Sequence, residues 1–121
     1  MIDKLYELIG GRETISAATE RFYTKVLADH SLRHFFKETD MVHLRSRQVM
    51  FISMLLGGGV YGGKDIHNAH APARSNGLND MHFDAFLKHF RAALEEVGVK
   101  PEHAEKVVKL VEKNRRTVLD G

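Results

Sequence analysis

The chain has 121 residues, enough for one hydrophobic core, and we expect residues 1–121 to form a single domain. The formal net charge is only +2 and no block of Lys or Arg occurs, so the composition does not favour nucleic-acid binding. The absence of cysteine excludes disulfides, thiolate metal sites and cysteine nucleophiles. Because the N-terminus does not resemble a signal peptide and the apolar stretch 50–56 is too short for a membrane span, we expect a cytoplasmic protein without membrane contact.

The first half of the chain has the apolar period of α-helices, and strand-like alternation is absent. Residues 2–9 favour a short helix, and the next segment carries one apolar stripe made of Ile15, Ala18, Phe22, Tyr23 and Val26. Ser31 is expected to cap a short turn that contains Phe35 and Phe36. Asp40 is a good N-cap for a third helix, which should end at the glycines of residues 57–59.

The second half contains one segment without a clear assignment and then two further helices. Residues 57–79 hold many glycines and a proline, and so long a connection is usually functional or hides a missed element. Asn79 is expected to cap an amphipathic helix that ends at Gly98, and Pro101 to begin the last helix. The pattern predicts an all-α fold of four or five helices.

Two polar residues lie on apolar helical stripes. Tyr23 is next to Phe22 on the second helix, and Gln48 falls between Leu44 and Phe51 on the third. A buried polar group without a partner costs about 1–3 kcal/mol, so each needs a hydrogen bond inside the protein. Taken singly, each is expected to bond a backbone carbonyl. Taken together, they suggest a polar ligand in an apolar pocket.

The eight histidines are the unusual feature of the composition. His82 stands near a helix start as a local hydrogen-bonding group, whereas five others occupy polar positions and are expected at the surface: His30, His34, His43, His89 and His103. His67 and His70 lie in the unassigned segment at a spacing that would suit a metal pair. No third ligand nearby completes a closed zinc set, while a haem needs only one axial imidazole. Spacing alone leaves the ligand open.

The sequence resembles the group I truncated haemoglobins, the short globins with a two-over-two helical sandwich around haem. The resemblance runs over essentially the whole chain and rests on an ordered set of markers. These are Leu5-Tyr6-Glu7, Gly10-Gly11, Phe22-Tyr23, Val26-Leu27-Ala28-Asp29, Phe35-Phe36, Thr39-Asp40-Met41, Leu56-Gly57-Gly58, Tyr61, Gly63, His70, Gly77-Leu78 and His82-Phe83.

The resemblance implies a role for each matching residue. His70 matches the proximal histidine that binds the haem iron, and Tyr23, Leu44 and Gln48 match the three distal positions. Phe36 matches the phenylalanine that packs against the haem. Arg47 matches a position at which family members often have a basic group near a haem propionate. The expected haem contacts are completed by Phe35, Met41, Phe51, Tyr61, Ile66 and Phe83.

The distal residues resemble the N-type subgroup, some members of which oxidise nitric oxide. The resemblance therefore implies a haem b protein that binds O2, NO and CO at a five-coordinate ferrous iron, with Tyr23 and Gln48 donating hydrogen bonds to O2. Oxidation of NO to nitrate would require an external reductase, and we expect a monomer. Ile52 stands where the subgroup often has a gating phenylalanine, which puts that gate in doubt. Two alternatives remain: an O2 store, carrier or sensor without NO turnover, and a helical interaction module without cofactor.

Overall fold

The described part of the chain is built from helices. The computed structural model describes residues 4–37, 39–57, 70–75 and 77–120, and within these ranges no strand occurs. The α-helices are α1 (Lys4–Leu8), α2 (Gly11–Ala28), α3 (Met41–Gly57), α4 (Ala71–Ser75), α5 (Asp80–Glu96), α6 (Pro101–Glu112) and α7 (Arg115–Leu119), with a 3₁₀ helix at Arg33–Phe36. The predicted all-α fold is confirmed. Among the predicted site residues, Tyr61 and Ile66 lie outside the described residues, as does His67.

Side-chain caps set the starts of two long helices. Oδ1 of Asp40 accepts hydrogen bonds from the backbone N–H groups of Val42 (3.1 Å) and His43 (3.3 Å) at the start of α3. At the start of α5, Asn79 and His82 form a capping box, in which each side chain accepts the other residue's backbone N–H at 3.2 Å. These contacts confirm the predicted caps and the local role of His82.

The turn after α2 is organised by Asp29 rather than by Ser31. Oδ1 of Asp29 accepts hydrogen bonds from the backbone N–H (2.9 Å) and the hydroxyl (2.7 Å) of Ser31. The 3₁₀ helix that follows has Leu32 at its N-cap and no side-chain cap. The prediction for Ser31 is therefore wrong, because the carboxylate two residues earlier takes the acceptor role and uses Ser31 as its donor.

The main core lies between α2, α3, α5 and α6. Helix α2 packs against both α3 and α5, and α5 packs against α6. The side chains fully enclosed between these helices include Ile15, Val26, Ile52, Leu56 and Leu94. Each contributes about 1.5–3 kcal/mol by leaving water. Two helical pairs, α2 with α3 and α5 with α6, therefore enclose one apolar interior.

A second, smaller cluster lies beside the main core. Phe83 of α5 and Val118 of α7 are its buried members, and Leu78 is among the side chains packed against them. We call it the Phe83–Val118 cluster. Neither α7 nor α4 was predicted from the sequence, although α4 lies in the segment suspected of hiding an element. Among the described helices, none is both long and apolar enough to cross a bilayer.

Candidate functional site

Tyr23 is buried among aromatic side chains. It lies on the inner face of α2 with 3% of its surface exposed, and its ring meets Phe22 and Phe36 edge to face, with centroid distances of 4.8 and 5.9 Å. Burial raises the pKa of Tyr23 well above its ordinary value, and the positive charge of Arg45 offsets this only in part. The hydroxyl therefore stays protonated at neutral pH. Among the described residues, no hydrogen-bond acceptor is found for it.

Gln48 lies on α3 between two residues of the main core. It lies one turn beyond Leu44, a half-buried residue packed against the main core, and one turn before Ile52, which is fully buried. Gln48 itself is half-buried, and within the described ranges its amide forms no hydrogen bond. Two polar side chains with unused hydrogen-bonding capacity therefore project from helices that pack against each other.

Most of the described apolar side chains predicted to contact the cofactor lie at the edge of the main core. Five of them are half-buried and packed against the main core: Phe35, Phe36, Met41, Leu44 and Phe51. Phe36 is fixed by edge-to-face contacts with both Tyr23 and Phe86, at 5.9 and 6.1 Å. Apolar groups of this kind, together with a tyrosine hydroxyl that has no partner among the described residues, are chemically suited to an apolar cofactor with a small polar ligand, and their contacts with it stay a prediction.

Phe83 has a different environment from these five side chains, although it too was predicted to contact the cofactor. It is buried in the Phe83–Val118 cluster, and the guanidinium carbon of Arg115 lies 4.7 Å from the centre of its ring. Its contact with a cofactor stays a prediction. Arg47 is exposed on α3, one turn beyond Leu44, and its place near a propionate likewise stays a prediction.

His70 stands directly before α4. It is half-buried, and its carbonyl accepts a hydrogen bond from the backbone N–H of Arg74 at 3.0 Å, which closes the first turn of the helix. Within the described ranges, no group of three or more His, Asp or Glu side chains is arranged to hold a metal ion. The role of His70 as an axial ligand to iron stays a prediction.

His89 is more than a surface residue. Its Nε2 lies 2.8 Å from Oδ2 of Asp29, and 22% of its side chain is exposed. The contact joins α5 to the turn after α2, across 60 residues of sequence. The expectation of a plain surface histidine was therefore wrong, because the sequence contains no local signal for such a distant pair.

Comparison with known proteins identifies the family. The profile of the bacterial-like globin family matches residues 4–120. A group 1 truncated haemoglobin from Tetrahymena pyriformis is 40% identical over 116 residues, which cover 95% of this chain and 93% of the relative. The chain belongs to the group 1 truncated haemoglobins. The family predicted from the ordered markers is thereby confirmed.

Solved structures of truncated haemoglobins have the same fold. The Fe(III) form of the Tetrahymena pyriformis protein aligns with a TM-score of 0.85 at 40% identity, covering 95% of this chain and 97% of that one. A Synechococcus 2/2 haemoglobin with covalently attached haem aligns with a TM-score of 0.88 at 36% identity, covering 97% and 98% of the two chains. The predicted two-over-two sandwich is confirmed.

Proposed function

We propose that this truncated haemoglobin binds one haem b and, through its iron, binds O2 reversibly, with His70 as the protein ligand. Truncated haemoglobins are haem proteins, and haem iron with one imidazole ligand supplies an open site for O2. The observation that carries the proposal is Tyr23, a buried residue whose hydroxyl stays protonated and has no acceptor among the described residues. A hydroxyl without an acceptor among the described residues can donate a hydrogen bond to a bound ligand.

Tyr23 and Gln48 are the two groups suited to donate hydrogen bonds to O2. Both lie on helices that pack against each other, so their backbone positions are set before the ligand arrives. Leu44, as an apolar residue at the third distal position, supplies no third donor and should keep water from competing. CO, a poorer acceptor, and NO belong to the same class of small ligand.

The residue at position 47 bears on the coordination of the iron. Its guanidinium stays protonated and has no lone pair to offer a metal, so Arg47 cannot occupy the ligand site from the distal side. We therefore propose a five-coordinate ferrous iron in the absence of O2, which leaves the ligand site open.

A further part of the proposal is NO dioxygenase activity of the N-type kind. One O2 and one NO combine to one nitrate, and the ferrous iron gives up one electron and becomes ferric. An external reductase must return that electron after each turnover. We also propose that the protein is cytoplasmic, monomeric and formed by one domain.

Rapid mixing of the oxygenated protein with NO tests the activity. We expect one nitrate and one ferric haem per protein in a single fast step, slowed in Tyr23→Phe. Tyr6→Phe, which removes a half-buried hydroxyl from α1, is the matched control and should behave as wild type. An oxygenated protein that forms no nitrate would instead be an O2 store, carrier or sensor. A purified protein that takes up no haem would contradict the whole proposal.

A further inference from the structure

The C-terminal helix α7 is tied to the first turn of α5 by Arg115. Its Nη1 lies 3.0 Å from Oδ1 of Asp80, and its Nη2 bonds the carboxylate of Asp84. Both Nε and Nη2 also donate to Glu112 at 2.9 Å, and the guanidinium lies over the ring of Phe83. The Arg115 side chain is 18% exposed and its carboxylate partners are 45–65% exposed, so the network as a whole, rather than any single ion pair, holds the two helices together. Helix α7 is thereby fixed on α5.

The short helix α4 meets α7 at two points. Nη1 of Arg74 donates a hydrogen bond to the carbonyl of Val118 at 2.9 Å, across 44 residues of sequence. Leu78, just beyond α4, packs into the Phe83–Val118 cluster. Through these two contacts, α4 and Leu78 pack against α7 and α5. The placement of α4 therefore depends on residues near the C-terminal end of the described chain.

The same helix carries His70 at its start. The backbone N–H of Arg74 donates to the carbonyl of His70 at 3.0 Å. At the other end, the N–H of Leu78 bonds the carbonyl of Ala73, and Gly77 adopts a φ of +94°, which together form a Schellman motif. A helix of five residues is too short to be stable alone, so its direction is set by its tertiary contacts. A tilt of α4 moves His70 with it.

We propose that Arg74 and helix α7 together position His70 and so set the angle at which its imidazole meets the iron. This inference rests on the proposed role of His70 as the iron ligand. Arg74 is a positioning residue, since it acts through the backbone of α4. The path runs from Arg115, which fixes α7 on α5, through the Val118 carbonyl to Arg74 and then to His70.

The test is Arg74→Gln in the haem-loaded ferrous protein. We expect the iron–imidazole stretching band in the resonance Raman spectrum to shift or broaden, because the imidazole no longer has one fixed direction. The backbone N–H hydrogens of residues 74 and 78 should exchange with solvent about tenfold faster, because one charged hydrogen bond that holds α4 in place is lost. Arg74→Lys keeps a charged donor and should recover part of the wild-type band.

Two further variants serve as the control and as an independent test. Arg12→Gln removes the same charge from an exposed residue of α2, and it should leave the band and the exchange rates unchanged. Arg115→Gln loosens α7 itself and should reproduce the band shift of Arg74→Gln. The two effects should not add in the double variant, because both act through one path.

The outcomes separate this inference from the proposed function. An unchanged band in both Arg74→Gln and Arg115→Gln overturns the positioning role, while haem loss in His70→Gly leaves the ligand assignment intact. Faster amide exchange with an unchanged band would show a structural role only and would also overturn it. A normal ferrous spectrum in His70→Gly would overturn the ligand assignment and, with it, the inference.

Discussion

Replacing Tyr23 with phenylalanine removes one oxygen atom and keeps the aromatic contacts with Phe22 and Phe36. Without O2, the change should leave the free energy of unfolding unchanged or raise it by up to about 1 kcal/mol. The reason is that Tyr23 is buried and its hydroxyl has no hydrogen-bond partner among the described residues, so no hydrogen bond within them is lost when the hydroxyl is removed. Thermal unfolding of the ligand-free haem protein measures this effect.

With O2 bound, the same change should act in the opposite direction. A hydrogen bond to a charged acceptor is worth about 1.5–3 kcal/mol, and about 1.4 kcal/mol is tenfold in an equilibrium constant. O2 gains negative charge on binding, so its release should be about tenfold to a hundredfold faster in Tyr23→Phe. The CO release rate should change much less, because CO is a poorer acceptor.

Stopped-flow measurement of O2 release across a double-mutant cycle with Gln48→Leu decides whether the two donors act together. Since they share one acceptor, the effects of Tyr23→Phe and Gln48→Leu should not add. Tyr6→Phe is the control for loss of a tyrosine hydroxyl elsewhere. Unchanged O2 release in Tyr23→Phe, or strict additivity across the cycle, would refute the proposed distal pair.

Three further predictions concern the iron ligand, its open site and the contact between α2 and α5. His70→Gly should lose haem or hold it only with added imidazole, whereas His67→Gly should keep a normal absorption spectrum; the reverse result would reject His70 as ligand. The ferrous protein without O2 should give a high-spin, five-coordinate spectrum, because Arg47 cannot bind iron, and a low-spin spectrum at neutral pH would contradict this. Hydrogen bonds, first from His89 and then from Ser31, lower the pKa of Asp29 from 3.8 to about 2. The charged Asp29 carboxylate therefore stabilises the fold fully above pH 3.8, and this stabilisation is lost as the pH falls through 2. Asp29→Asn should therefore melt at a lower temperature near pH 5 and lose less stability than wild type between pH 4 and pH 2; equal pH profiles would show that the pair contributes nothing.

The sequence alone determined those features that arise within a few residues. Asp40 and Asn79 cap α3 and α5 as predicted, because a cap joins a side chain to backbone groups two or three positions away. The apolar stripe of α2 predicted the burial of Tyr23, since a helical period fixes which residues share a face. The order of the markers also predicted the truncated globin family, now confirmed over residues 4–120.

Other features were decided only by tertiary structure. Helices α4 and α7 have five residues each, too few for a periodic signal, and their placement depends on contacts such as the bond from Arg74 to Val118. The pair of His89 with Asp29 spans 60 residues, and no local pattern indicates it. The absence of a described acceptor for the Tyr23 hydroxyl could likewise be seen only once α2, α3 and the 3₁₀ helix had been brought together. The physical reason is that helical periods and caps are short-range, whereas long-range pairs form only when folding brings distant segments into contact.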